Sequence, residues 1–502
     1  MIADILTGVL SIFTWQTIGA ITFGVFTGLM FGAIPGISGI MAISILLPLT
    51  FYVSPLVGIP MLLGIYKASM FGGSITAILL NTPGAPPAVC TAMDGYPLAE
   101  QGKAGKALNA ALAGSVFGDT FSNILLICVA APLSYLALKI GPTEQCSLIL
   151  LALTVVGSIS GISITKGLVM AGLGLLLSTV GVSGSTGAMR FTFGNEYLMQ
   201  GIALIPMVIG LLCLPEVIHQ ASTKIQPAIQ KKFTLTGSDG TFSWGEFKAL
   251  LPLFLRSSVI GSAIGALPGL GASPAAYVAY SEALRTSKNP EKFGKGSVEG
   301  VIAPEAANNA VTGSAMIPLL TLGIPGDDVT AVLMGAFLIQ GLTPGPNIFF
   351  ENTVVVYGLF ASLIICDVIL YYVSKFGFRI WMRISQLPKS TIFSVVTVFA
   401  MVGTYSINQS MFDIFCLIIF GVFGYGMRRF QFPAGPMIIG FILGPLLEAS
   451  FDQTMTISDG SFMIFVARPV SATLILLTIA AVFSIARARM RRAKITRLAQ
   501  EG

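Results

Sequence analysis

The sequence has little charge: only 10% of its 502 residues are Asp, Glu, Lys or Arg, whereas 54% are apolar. Soluble domains carry about 25% charged residues, because their surfaces must be hydrated. The deficit excludes a water-facing surface for most of the chain, in agreement with a mean hydropathy of +0.85. The solvent around this chain is therefore predicted to be lipid.

The residue types that build most metal and nucleophile sites are also scarce. His219 is the single histidine, which excludes His-based zinc or haem clusters and catalytic triads. The cysteines contain no C-x-x-C pair, so neither a disulfide framework nor a cysteine metal site is expected. They are Cys90, Cys128, Cys146, Cys213, Cys366 and Cys416. A G-x-x-x-x-G-K-[ST] phosphate loop is missing, which argues against direct use of ATP. We therefore predict no cofactor and no enzymatic activity.

The sequence is instead rich in long apolar runs. A membrane-spanning helix needs roughly 20 apolar residues to cross a hydrocarbon core of about 30 Å. Clear runs lie at 17–34, 124–138, 168–182, 201–214, 354–373, 392–405, 414–426 and 470–485, and runs richer in Gly and Pro lie at 40–53, 58–80 and 319–338. None shows the ten-residue alternation of a membrane β-barrel. The sequence predicts an all-α polytopic membrane protein with about 11–13 membrane segments.

Positive charge collects in a few places, among them short clusters at 375–389 and 428–429 and two longer polar stretches. The segment at 219–248 is the longest break in hydrophobicity, and we predict that it links a first membrane half at 1–218 to a second at 249–486. The tail at 487–502 carries Arg487, Arg489, Arg491, Arg492, Lys494 and Arg497. The positive-inside rule predicts a cytoplasmic C-terminus. Because a topology signal explains the basic tail, no nucleic-acid partner is expected.

Two pairs of Gly/Pro motifs recur in the two halves. The sequence GAIPG at 32–36 is matched by GALPG at 265–269, an offset of 233 residues (265 − 32). NTPG at 81–84 is matched by GIPG at 323–326, an offset of 242 residues (325 − 83). The shared order and similar offsets indicate an internal duplication, although chance similarity between Gly/Pro-rich segments is the alternative.

Paired Gly/Pro interruptions of this kind point to a transporter binding site. Proline removes a backbone donor and breaks the helix, and the freed N–H and C=O groups then need protein, water or ligand as partners. The N–H groups at a half-helix N-terminus attract anions, and free carbonyl groups can coordinate a cation. The alternative is that these prolines only kink helices for packing.

Polar residues near the motifs supply the candidate sites, because ionisable residues at membrane depth are costly and usually functional. The predicted substrate-binding residues are Pro35, Gly36, Ser38, Lys67, Ser74, Asn81, Thr82, Gly84, Gly269 and Gly271. The predicted coupling-ion residues are Asn308, Asn309, Ser314, Gly326, Asp327 and Asp328. Two alternatives stay open: the first is that Asp327 and Asp328 cap the next helix, and the second is that Lys67 extends to an interface. Asp119 and Asp367 rank below the asparagines.

The motifs together resemble a known family. They are GAIPG at 32–36, YK at 66–67, FGGS at 71–74, NTPG at 81–84, DGYP at 94–97, GALPG at 265–269, PEAANN at 304–309, GIPGDD at 323–328 and GLTPG at 341–345. They extend over nearly the whole chain. In their sequence and order they resemble the large membrane subunit of the tripartite tricarboxylate transporters (the TctA family).

The resemblance implies a secondary active permease in a bacterial inner membrane. It implies import of small di- or tricarboxylates or related organic anions by symport with Na⁺ or H⁺. It also implies two partners, a small membrane subunit and a periplasmic solute-binding protein. An ion channel and an intramembrane enzyme are the alternatives. The resemblance supplies no residue-level site, so the candidate residues rest on the physical argument.

Overall fold

The computed structural model of the chain describes residues 2–34, 38–159, 163–222, 241–384 and 389–483. These residues are almost entirely helical. The helices are α1 (Ile2–Ser11), α2 (Trp15–Gly32), α3 (Gly39–Thr50), α4 (Pro55–Leu80), α5 (Ala88–Leu98), α6 (Ala104–Ala137), α7 (Pro142–Ile159), α8 (Ile164–Ser178), α9 (Glu196–Met199), α10 (Leu204–Leu212), α11 (Leu214–Ser222), α12 (Trp244–Gly265), α13 (Ala272–Thr286), α14 (Val298–Ser314), α15 (Met316–Leu322), α16 (Asp328–Ile339), α17 (Ile348–Glu351), α18 (Thr353–Ile384), α19 (Lys389–Asn408), α20 (Met411–Arg429), α21 (Gly435–Ile457), α22 (Ile464–Ala467) and α23 (Pro469–Phe483). A π-turn at Ala99–Lys103, a 3₁₀ turn at Pro290–Lys292 and an antiparallel pair of short strands, β1 (Gly181–Val182) and β2 (Met189–Arg190), complete the described elements.

Many of these helices are long and apolar enough to cross a membrane. Within the described residues 7 helical segments qualify, or up to 8 when the bent pair α1 and α2, which meet at 63°, counts as one span. Six shorter apolar helices are further candidates: Gly39–Thr50, Pro142–Gly157, Ile164–Ser178, Asp328–Ile339, Ile392–Asn408 and Pro469–Phe483. The predicted all-α polytopic membrane fold is confirmed. The total of 11–13 segments stays a prediction.

Helix α4 and helix α20 show the two environments of the fold. Side chains of α4 are buried from Gly58 to Leu79 almost without interruption. In α20, by contrast, Ile419 and Val422 are 64% and 62% exposed. An apolar helix face exposed in this way is suited to lipid rather than to water.

The described chain divides into two compact units. The described residues within 1–135 and 205–425 form unit 1, and those within 136–204 and 426–483 form unit 2. Each unit therefore takes residues from both predicted halves. The predicted halves, linker and tail stay predictions, because 223–240 and 484–502 lie outside the described residues.

In unit 2, α8 packs on α21, and an ion pair ties the short strands to α21. Gly174 and Gly440 each lie against a backbone carbonyl of the other helix, so neither position has room for a side chain. Arg190 of β2 donates two parallel hydrogen bonds, 2.9 and 3.0 Å long, to the carboxylate of Glu448. Bidentate geometry of this kind fixes the short strand pair on α21.

In unit 1, the packing of α2 on α4 has a counterpart in the packing of α12 on α14. A Cβ atom at Gly28 would lie 2.5 Å from the carbonyl oxygen of Ile65, and one at Gly261 would lie 2.2 Å from that of Ala307. The two glycines are 233 residues apart (261 − 28) and their partners 242 (307 − 65). These are the offsets that separate the Gly/Pro motifs.

Candidate functional site

Each of the four Gly/Pro motifs lies where one helix ends and the next begins. We call these segments break A1 (33–38), break A2 (81–87), break B1 (266–271) and break B2 (323–327). The predicted site residues Pro35 and Gly36 lie outside the described residues. Helices α3 and α16, which follow A1 and B2, have 12 residues each. At 1.5 Å per residue each is about 18 Å long, too short to cross the hydrocarbon core alone.

The two breaks of each half lie close together. Gly84 of A2 lies against the end of α2, where an added Cβ would be 2.1 Å from the carbonyl oxygen of Gly32. The Gly84 amide donates to the Gly73 carbonyl at 3.1 Å. In the second half, the amide of Gly269 in B1 donates to the carbonyl of Gly326 in B2 at 2.7 Å. The chain itself therefore satisfies several of the backbone groups that the breaks release.

Breaks A2 and B2 begin with the same backbone conformation. Asn81 (φ 51°) ends α4 and Gly323 (φ 69°) ends α15, both in the left-handed region. Asparagine and glycine are the residues that adopt this conformation most readily. Asn81 and the following Thr82 are exposed, and the Thr82 hydroxyl donates to the nearby Leu80 carbonyl at 3.1 Å.

A cavity of about 360 Å³ opens between break A2 and the N-terminal end of α3. It is lined by Ser38, Met41, Pro83, Gly84, Ala85, Pro86, Val89, Leu212 and Glu216. Its size falls in the range of small-molecule sites. The Ser38 oxygen accepts from the Met41 amide at 3.4 Å and so marks the start of α3. One wall carries an acid, Glu216, which accepts from Gln220 at 2.8 Å.

Break B2 carries its own carboxylate at the start of α16. Asp327 caps that helix, because its Oδ1 accepts from the Thr330 amide at 2.8 Å and the Thr330 hydroxyl accepts from the Asp327 amide at 2.8 Å. Its Oδ2 accepts from the Tyr66 hydroxyl at 2.7 Å. A Cβ at Gly271, which begins α13, would lie 3.7 Å from the Asp327 Cβ. Asp327 thus has the geometry of the capping alternative, and Asp328 is half-buried beside it.

A buried ion-pair cluster joins α4, α6 and α18 in the centre of unit 1. Lys67 is 1% exposed, so it does not extend to an interface. Its ammonium pairs closely with the Asp367 carboxylate, lies 3.9 Å from Oδ1 of Asp119 and donates to the Leu363 carbonyl at 3.3 Å. The cationic partner predicted for an anionic substrate is therefore paired in this conformation with the chain's own carboxylates.

The two aspartates of this cluster have different surroundings. Oδ2 of Asp367 accepts from Asn123 at 2.7 Å and from Thr120 at 3.1 Å. Oδ1 of Asp119 accepts from the Thr312 hydroxyl, whereas its Oδ2 has no hydrogen-bond partner among the described residues. Asp367 is fully satisfied and Asp119 is not.

A second buried carboxylate, Glu305 of α14, is surrounded by hydroxyl and amide donors. Its oxygens accept from Ser74 at 2.5 Å, Ser115 at 2.8 Å and Asn308 at 3.4 Å, and from the Thr91 hydroxyl. Ser74, predicted to bind substrate, is thus held by Glu305 in this conformation. Four donors around one carboxylate offset much of the free energy that its burial costs.

Asn309 connects the two clusters. Its Nδ2 donates to the Glu305 carbonyl at 3.0 Å and to Oδ1 of Asn308. The Thr312 hydroxyl, which reaches Asp119, also lies 2.8 Å from the Asn309 carbonyl. Of the remaining predicted residues, Ser314 donates to the Ala310 carbonyl at 2.8 Å. Gly326 lies so close to Ala315 that it has no room for a side chain.

Asp119 and Asp367, which rank below the asparagines on sequence grounds, are not among the predicted site residues. The sequence does contain a signal for a functional role of both, because they are charged residues inside the apolar helices α6 and α18. Their shared partner Lys67 lies 300 residues from Asp367 along the chain, and no local pattern connects such distant positions.

Comparison with known proteins places this chain in a family. The model of the family described as "Tripartite tricarboxylate transporter TctA family" matches residues 18–439. An uncharacterized 52.8 kDa protein in the TAR-I ttuC' 3' region of Agrobacterium vitis is 39% identical over 459 residues, which cover 91% of each chain. An uncharacterized protein in the TAR-II ttuC' 3' region of the same organism is 40% identical over 215 residues, 43% of this chain and 89% of the relative. No solved structure matches the chain. The chain belongs to the tripartite tricarboxylate transporter TctA family.

Proposed function

We propose that this multi-pass membrane protein is the large subunit of a secondary transporter that imports small di- or tricarboxylates or related organic anions. Family membership supports the transport class. The missing phosphate loop supports an ion gradient, Na⁺ or H⁺, as the energy source. The partners proposed are a small membrane subunit and a periplasmic solute-binding protein.

The two halves at 1–218 and 249–486 are proposed to be an internal duplication with inverted topology. The support is that motif spacing and helix packing share the offsets of 233 and 242 residues. Alternating access would then move one part of the protein past another, and either an elevator or a rocking motion fits.

The substrate carboxylate is proposed to bind in the cavity at break A2. The observation that carries this proposal is a difference between corresponding positions. Asp327, which caps α16 in break B2, corresponds at the offset of 242 to Ala85 (327 − 85). Ala85 lines the open cavity and carries no charge. A transported carboxylate would lie there near the start of α3, as Asp327 lies beside Gly271 at the start of α13, the corresponding helix of the second half.

The coupling cation is proposed to bind near Asn309. Among the six residues predicted for this role, Asn309 is the one with a buried side-chain oxygen that lacks a hydrogen-bond partner in the described structure. Asp327 has a partner on each oxygen, so the geometry favours a capping role for it.

A bacterial inner-membrane location with a cytoplasmic C-terminus is proposed from the basic tail. Reporter enzymes that are active on only one side of the membrane, fused after Gly502, test this. Activity of the periplasmic reporter would contradict the orientation.

Uptake of radiolabelled citrate and succinate by membranes that contain the complete system tests the transport class. A symporter gives saturable uptake that stops when the ion gradient is collapsed. Uptake that continues without a gradient and does not saturate would indicate a channel. Chemical conversion of the label without net movement would indicate an intramembrane enzyme. A pull-down with the tagged chain should recover a periplasmic binding protein.

A further inference from the structure

We propose that Asp119, Asn123 and Asn309 bind a sodium ion at the contact between α6 and α14. Its role as the coupling ion rests on the proposed function. The binding itself rests on the charge balance and the unpartnered oxygens of this contact.

The charge balance around Lys67 leaves one negative charge without a partner. Lys67 pairs with Asp367, and Asp119 lies farther away at 3.9 Å. Two carboxylates against one ammonium leave a net charge of −1. A buried charge without compensation is strongly unfavourable. Because Asp367 also receives two neutral donors, the excess charge lies on Asp119.

Three buried oxygen atoms at this contact have no hydrogen-bond partner among the described residues. They are Oδ2 of Asp119, Oδ1 of Asn123 and Oδ1 of Asn309, and all three side chains are 0% exposed. Buried polar atoms in native proteins nearly always have a partner. Three acceptors together therefore indicate a ligand that accepts electron pairs.

The assignment of these atoms as oxygen follows from their neighbours. Nδ2 of Asn123 donates to Asp367 at 2.7 Å, and Nδ2 of Asn309 donates to the Glu305 carbonyl at 3.0 Å. Rotating either amide by half a turn would place its oxygen against another oxygen. The unpartnered atoms are thus oxygens in both side chains.

The helix geometry brings the three residues to one contact. Asp119 and Asn123 are four residues apart and share one face of α6, and Asn309 and Gly313 share one face of α14. The two faces meet, because the Thr312 hydroxyl donates to Oδ1 of Asp119. At the next turn, a Cβ at Gly313 would lie 2.8 Å from Oδ1 of Asn123.

The chemistry of the contact favours sodium. Carboxylate and carbonyl oxygens suit hard cations, and the single excess charge matches a monovalent ion. The described residues contain no group of three or more His, Cys, Asp and Glu side chains that would suit a transition metal. A proton on Asp119 would donate one hydrogen bond and leave another oxygen unpartnered, whereas a sodium ion bound between the three side chains would give each oxygen a partner.

The contact is also connected to the end of α4. Asn309 donates to the Glu305 carbonyl, and the Glu305 side chain holds Ser74 at 2.5 Å. Ser74 lies in the last turns of α4 before break A2. If sodium and the substrate anion favour the same arrangement of these helices, each must raise the affinity of the other by the same factor.

Thermal unfolding of the purified full-length chain, without any anionic substrate, tests the binding. NaCl is varied against KCl at constant ionic strength. We expect the wild-type melting temperature to rise saturably with Na⁺ and not with K⁺. Asp119→Asn should raise the half-saturating Na⁺ concentration by about tenfold or more. The matched control is Asp413→Asn, since Asp413 is another buried aspartate that accepts from Asn408 at 2.8 Å outside this contact.

Three results would overturn the proposal. The melting temperature could rise equally in KCl, it could respond to pH alone, or the Asp119→Asn variant could respond to Na⁺ like the wild type. Should Asp119→Asn fail to fold, Asn309→Ala and Asn123→Ala must weaken the Na⁺ response, and an unchanged response in both would refute the site. Because the unfolding experiment contains no substrate, a separate failure to detect anion uptake would not change the result on Na⁺ binding. A missing Na⁺ response likewise leaves the transport proposal standing.

Discussion

Breaks A2 and B2 share a backbone plan but differ in charge. Each follows a helix that ends in a left-handed residue, Asn81 or Gly323, and each lies close to the other break of its half. In B2, the Asp327 carboxylate caps the start of α16. The corresponding residue of A2 is Ala85, which lines an open cavity. The same backbone framework can therefore serve two purposes. The second half satisfies its break internally, and the first leaves space that the proposed substrate would occupy.

The largest effect is expected from giving A2 the charge of B2. Ala85→Asp would place a carboxylate in the cavity, where it repels an anionic substrate. Two like charges about 4 Å apart at an effective dielectric constant of about 20 repel by roughly 4 kcal/mol. Citrate uptake should therefore fall on the order of 100-fold or more. Ala85→Asn is the matched control of similar size without charge. Wild-type uptake by Ala85→Asp would remove the cavity from the mechanism.

The next largest effect tests whether the two halves pack alike. Gly28→Val and Gly261→Val should each destabilise the protein by about 1–3 kcal/mol or more, because either side chain would meet a backbone carbonyl of the facing helix. Gly19→Val is the control, since nothing lies within 4 Å of a Cβ there. Thermal unfolding in detergent measures all three. If the two variants lose very different amounts of stability, the two halves do not pack alike.

A smaller effect is expected when B2 loses its own anion. Asp327→Asn weakens the cap of α16 and the hydrogen bond from Tyr66, at a cost of about 1–2 kcal/mol. Tyr66→Phe removes the hydroxyl alone and should cost less. Melting temperatures check both. If Asp327→Asn instead abolished the Na⁺ dependence of uptake at unchanged stability, the cation-binding alternative would replace the capping role.

The smallest effect concerns the acid in the wall of the A2 cavity. Glu216→Gln removes a like charge from the neighbourhood of the proposed anion and should lower the half-saturating citrate concentration by a few-fold, roughly 0.5–1 kcal/mol. Initial uptake rates over a range of citrate concentrations measure this. A raised half-saturating concentration would place the anion elsewhere or give Glu216 a binding role.

The sequence predicted the parts of this structure that depend on local physics. Apolar runs identified the helices, and the Gly/Pro motifs identified where they end, because proline and glycine act on their own backbone. The role of Asn309 in binding the coupling ion, inferred from its type and its place before GIPG, stays a prediction. The pairing of Lys67 with Asp119 and Asp367 was not predicted, since three helices distant in sequence must first pack together. Likewise, only the structure shows that Glu305 already holds Ser74.

The most direct test of the account asks whether substrate covers Ala85. Ala85→Cys in the full chain is treated with a negatively charged, membrane-impermeant thiol reagent, with and without saturating citrate, beside the parent protein as background for its own cysteines. We expect citrate to slow modification of Cys at this position, and an equal concentration of an uncharged sugar to have no effect. A modification rate that citrate leaves unchanged, in membranes that actively take citrate up, would contradict the proposed binding site.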